Sequence, residues 1–62
     1  MYKKYEALLN KHNTTSYKVS KDTGIAQSTL SDWKNGISEP KLDKLIIIAE
    51  YFGEPVTYFI TN

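Results

Sequence analysis

The chain has 62 residues, 40% hydrophobic and 24% charged, with no cysteine, no arginine and a formal net charge of +1. A chain of this order buries only about 60% of the surface its unfolded form exposes; lacking disulfides and the ligands for a structural zinc, it needs a compact set of helices to fold. No apolar run approaches the roughly 20 residues that span a bilayer, and one histidine with no thiol leaves almost nothing for catalysis.

Turn-forming residues at Asn13-Thr14-Thr15, Gly24, Asn35-Gly36, Glu39-Pro40 and Gly53-Glu54-Pro55 divide the chain into five segments. The first, Tyr2 to Lys11, repeats Tyr2, Tyr5, Leu8 and Leu9 at helical spacing. His12 follows at the end where a helix dipole favours a cation. The second opens on Thr15, a good N-cap, and stops at Gly24, with Val19, Ser20 and Thr23 inward. That stripe is too thin for a free-standing helix.

The third segment, Gln27 to Lys34, is polar except for Leu30 and Trp33, with Ile25 ahead of it placed to staple against Leu30. Its spacing from Leu30 assigns Trp33 to the core rather than to base stacking. Asn35-Gly36 reads as the stop, with Gly36 free to turn left-handed. The fourth helix is predicted from Pro40 to Gly53. Leu42, Leu45, Ile46, Ile48, Ala49 and Phe52 form its broad apolar face, and Ile47 and Tyr51 lie opposite. The last segment, Pro55 to about Thr61, carries Val56, Phe59 and Ile60. Its β-branched content also suits a strand, but a lone strand has nothing to pair with, so a short helix is expected.

Two short helices joined through a glycine, the second polar on its outer face, form a helix-turn-helix pattern. Ser20 leaves room for the second helix to cross the first, Gly24 permits the turn, and Ile25, Leu30 and Trp33 clamp the pair. Gln27, Ser28, Ser31 and Asp32 are left on a protruding ridge, where side chains reach base edges in a major groove. Charge distribution points weakly the same way: residues 1–41 hold seven lysines and four acids, residues 42–62 one lysine and three acids.

The run from Thr15 to Gly36, with Gly-Ile-Ala-Gln-Ser-Thr-Leu-Ser-Asp-Trp-Lys-Asn-Gly at its centre and Leu-Ile-Ile-Ile-Ala-Glu-Tyr-Phe-Gly beyond Pro40, resembles the Cro and lambda-repressor-like helix-turn-helix family. The resemblance covers about residues 2–61. It implies an all-α, compact five-helix bundle that binds double-stranded operator DNA as a homodimer. By the family pattern Gln27, Ser28 and Asp32 read bases, with Ser31 beside them. Thr15, Ser16 and Tyr17 open the helix that touches phosphates, Lys34 and Asn35 begin a phosphate-contacting loop, and Lys41 is similarly placed. The family's dimer contact falls at the last helix, implying Tyr58 and Ile60; the Ile47 and Tyr51 patch is a second candidate.

The chain departs from the family pattern at four places. Ser20 replaces the usual alanine, its hydroxyl expected to bond back to the preceding turn. Ala26 replaces the usual cap of the recognition helix. Glu54 and Pro55 replace an apolar residue and a cap before the last helix. Finally, no arginine is present to grip guanine, and Asp32 repels phosphate.

A single helix-turn-helix domain over residues 1–62 is expected, without enzymatic activity, metal, cofactor, small-molecule ligand or membrane association. The start Met-Tyr-Lys-Lys-Tyr lacks an apolar signal core, and the absence of cysteine suits a reducing compartment, so the expected location is cytoplasmic. The expected role is a phage- or prophage-type repressor, or a Cro-like transcription regulator, in a bacterial host. The rival reading is a protein-interaction module of the same fold, antitoxin-like or an adaptor, with weak or no DNA binding.

Overall fold

The structure, a computed structural model, describes residues 1–61. Five helices follow in order: α1 (Tyr2–Lys11), α2 (Ser16–Thr23), α3 (Gln27–Lys34), α4 (Leu42–Tyr51) and α5 (Thr57–Ile60). No strand occurs among the described residues. The elements therefore follow the helical periods of the sequence closely, and the last segment is a single helical turn.

Every helix gives its apolar stripe to one core. Tyr5 and Leu8 come from α1, Val19 from α2, Leu30 and Trp33 from α3, Leu45, Ile48 and Ala49 from α4, and Phe59 from α5, joined by Ile25 and Phe52. Its centre is aromatic. Tyr5 stacks on Trp33 with ring centroids 5.0 Å apart, and Phe59 and Tyr2 meet Trp33 edge-on at 5.9 and 5.6 Å. Such pairs add about 0.5–1.5 kcal/mol each beyond their buried area, which helps a domain too small for a large aliphatic core.

Two expectations for α4 are corrected. The helix starts at Leu42 rather than Pro40, because Lys41 has ψ of 169° and is extended, while Pro40 is buried in the connection before it. The apolar face is also narrower than the six residues expected: Leu42 is 56% and Ile46 37% exposed. At 100° per residue both lie on one shoulder of the stripe formed by Leu45, Ile48, Ala49 and Phe52. Four short neighbouring helices cannot cover so wide an arc.

The helix ends are closed locally. Thr15 accepts the Lys18 amide at the start of α2. Past α3, Gly36 takes φ of 72° while the Ile37 amide returns to the Asp32 carbonyl at 2.9 Å, a Schellman ending. Asn13, with φ of 52°, ends α1 in the same way, its neighbour Thr14 bonding to the Leu9 carbonyl. By contrast α3 begins on Ala26, which has no side-chain cap, and α5 begins on the equally uncapped Val56. Ala26→Ser is expected to raise stability by about 0.5–2 kcal/mol, read as a higher urea midpoint at unchanged slope. An unmoved midpoint would mean that the hydroxyl does not reach the amides of Ser28 or Thr29.

Candidate nucleic-acid interface

The turn between α2 and α3 is built by side chains that satisfy the backbone it frees. Gly24 takes φ of 81°, a left-handed conformation that costs glycine nothing. Thr23 donates its hydroxyl to the Val19 carbonyl at 2.7 Å and accepts the Ile25 amide at 3.2 Å. The Ser20 hydroxyl does not bond back to the preceding turn as expected; it donates forward, across the turn, to the Ile25 carbonyl. The reason is geometric: the left-handed glycine folds Ile25 back over α2, and its carbonyl has no helical donor. Ile25, Leu30 and Trp33, all at most 3% exposed, then seat α3 on the core.

The opposite side of α3 is left to solvent. Ser28 and Ser31 are exposed and Asp32 is half-buried, and by the helical period these three form the outer ridge. Gln27 and Lys34, both exposed, lie on the shoulder towards α1 and the start of α2. There a groove of about 390 Å³ brings Gln27, Ser31 and Lys34 together with Thr15 and Ser16, walled on the far side by Tyr2, Glu6 and Asn10. Five residues singled out in the sequence therefore surround one depression. Asn35, the C-cap of α3, donates to the Ser31 hydroxyl at 3.5 Å. Tyr17 is 61% exposed and so belongs to the surface rather than the core. Lys41 is exposed at the N-cap of α4 and does not line the groove.

The sequence reading missed Glu6 and Asn10 as walls of that groove. They stand four apart on α1 and so share a face, but nothing distinguishes such a pair from an ordinary solvated face. Electrostatically the groove is mixed, with Lys34 on one wall and Glu6 on the other. Hydrogen-bond donors there are mostly neutral: hydroxyls, amides and the first N–H groups of α2, which have no acceptor within their own helix.

A second polar contact crosses the surface between α2 and α4. The Tyr51 hydroxyl donates to Asp22 Oδ2 at 2.6 Å, and Lys18 lies 3.4 Å from Oδ1. The Tyr51 hydroxyl, with Lys18 adding to it, holds the Asp22 carboxyl below the usual carboxylate range, and the carboxylate pushes the Tyr51 phenol up in return. Of the four residues considered for self-association, Tyr51 thus has its hydroxyl engaged within the chain. Tyr58 does too, donating to the Lys4 carbonyl at 3.1 Å. Ile60 is 58% and Ile47 38% exposed.

Among the described residues no cluster of three histidine, cysteine or acidic side chains is placed to hold a metal ion, and no helix is long and apolar enough to cross a membrane. The family model described as helix-turn-helix matches residues 5–59. No curated protein and no solved structure matches the chain.

Proposed function

The chain belongs to the helix-turn-helix family, of the Cro and lambda-repressor-like type that binds DNA in transcription regulation, and we propose that it is a sequence-specific repressor or Cro-like regulator of phage or prophage type, acting in the bacterial cytoplasm. The observation that carries this reading is the α3 ridge. Ser28 and Ser31 are exposed and Asp32 is half-buried on it, with Gln27 exposed on its shoulder, while Leu30 and Trp33 on the other side are buried. A helix built this way docks in a major groove without rearrangement. Ser28 and Ser31 donate to or accept from base edges, and Asp32 accepts from a cytosine amino group. Thr15, Ser16, Tyr17, Lys34, Asn35 and Lys41 fix the docking on phosphates, and the 62 residues act as one domain without catalysis.

The chain works as a homodimer on a palindromic operator, its two α3 helices spaced by about one helical turn, ~34 Å. Tyr58 and Ile60 supply the self-association surface; the patch of Ile47 and Tyr51 is the second choice.

Selection from a random duplex pool, followed by anisotropy titrations of the winner at two salt concentrations, tests the reading. A palindromic winner with a steep salt dependence supports it. Lys34→Ala is expected to weaken every sequence alike and to lower the log–log salt slope by about one for each half-site; an unchanged slope removes Lys34 from the phosphate set. The exposed Leu42, Ile46 and Ile60 favour the rival interaction module, which requires no enrichment and a flat salt response.

A further inference from the structure

Tyr5 is wholly buried, its ring part of the aromatic centre, yet its hydroxyl leaves the core. It meets Ser16 Oγ at 2.7 Å, and either oxygen can donate. Ser16 is the first residue of α2, half-buried, and lines the groove shared with Gln27, Ser31 and Lys34. The direction of this one hydrogen bond decides what the groove presents. With Ser16 donating, its proton points inward and the groove sees only a lone pair. With Tyr5 donating, the Ser16 proton is released to point outward, and the groove gains a donor.

We propose that Tyr5 is a positioning residue for phosphate binding: it donates its hydroxyl proton to Ser16 Oγ and so turns the O–H of Ser16 onto a DNA phosphate seated at the start of α2. An anion in the groove selects this polarity, and two hydrogen bonds running in the same direction strengthen each other. The Ser16 and Tyr17 amides, ahead of the first intrahelical bond, add donors at the positive end of the helix. Burial pushes the Tyr5 phenol above its ordinary value, an effect the Ser16 hydrogen bond only partly offsets, so it keeps the proton the relay needs. The inference rests on the phosphate role given to Ser16 in the proposed function.

The test compares the full chain with Tyr5→Phe, Ser16→Ala and the double variant on the selected duplex and on a random-sequence duplex. Tyr5→Phe keeps the ring and is expected to weaken both roughly 3- to 10-fold, about the worth of one hydrogen bond between neutral groups. The salt slope stays unchanged because no charge is lost. The double variant binds no more weakly than Ser16→Ala alone. Phosphate-ethylation interference loses one and the same phosphate per half-site in both single variants, a readout that general loosening of the core does not produce. Tyr5→Phe binding like the parent chain, or its loss persisting undiminished in the Ser16→Ala background, overturns the proposal. If Tyr5→Phe fails to fold, Ser16→Ala must still erase that single phosphate, and retention of it overturns the proposal equally. A parent chain that binds neither duplex defeats the DNA-binding reading and the relay together, whereas a parent chain that binds with additive variants defeats the relay alone.

Discussion

Trp33→Ala is expected to destabilise the domain by about 3–5 kcal/mol, the range for emptying a buried aromatic site. Trp33 is 3% exposed and meets Tyr2, Tyr5 and Phe59. Removing it empties the junction of α1, α3 and α5. A chain of this length has on the order of 3–9 kcal/mol in total, at roughly 0.05–0.15 kcal/mol per residue. The variant therefore loses from about a third to all of its stability. Far-ultraviolet circular dichroism through a urea titration measures this, since the change removes the only tryptophan and with it the fluorescence signal. A loss below about 1 kcal/mol would mean that the core is held by its aliphatic members rather than by its aromatic centre.

Gln27→Ala is expected to cost about 1–3 kcal/mol on the selected operator and little on random DNA. Gln27 is the first residue of α3, exposed, and on the shoulder that shares a groove with Thr15 and Ser16. Its carboxamide carries a donor and an acceptor side by side, the pairing that adenine presents through N6 and N7. Alanine leaves both base atoms without partners in a partly dehydrated groove, while every phosphate contact survives. The loss should thus fall on specific binding, with an unaltered salt slope. Equal losses on both duplexes would move Gln27 from the base-reading set to the phosphate-contacting set.

Local physics made most of the fold legible. Leu30 and Trp33 are the only apolar residues of a polar segment, so their burial followed from spacing alone. Gly24 and Gly36 sit where helices must end, and both take positive φ. The failures arise where burial depends on which neighbours are present. Leu42 and Ile46 belong to the apolar face by pattern, but only the assembled bundle decides how wide a stripe it covers. Ser20 was read as a small residue with a hydroxyl to satisfy; that its acceptor lies five residues ahead depends on the left-handed turn between. The meeting of Asp22 with Tyr51, 29 positions apart, has no local signature at all. Within the candidate site, the ridge on α3 was readable from periodicity. The groove beside it, with Glu6 and Asn10 on its far wall, required the packing of α1 to be known.

The contact of the Tyr58 hydroxyl with the Lys4 carbonyl spans 54 positions, and Phe59 on the same turn covers Trp33. The first helix is thus completed by the last. Translation delivers these partners in the most delayed order the fold allows. While α1 to α4 emerge, the aromatic centre has no lid, and the nascent chain must carry Trp33 and Tyr5 uncovered until the turn around Phe59 has been added. Final closure therefore waits for α5, and a chain interrupted before Val56 would carry α3 on an unfinished body.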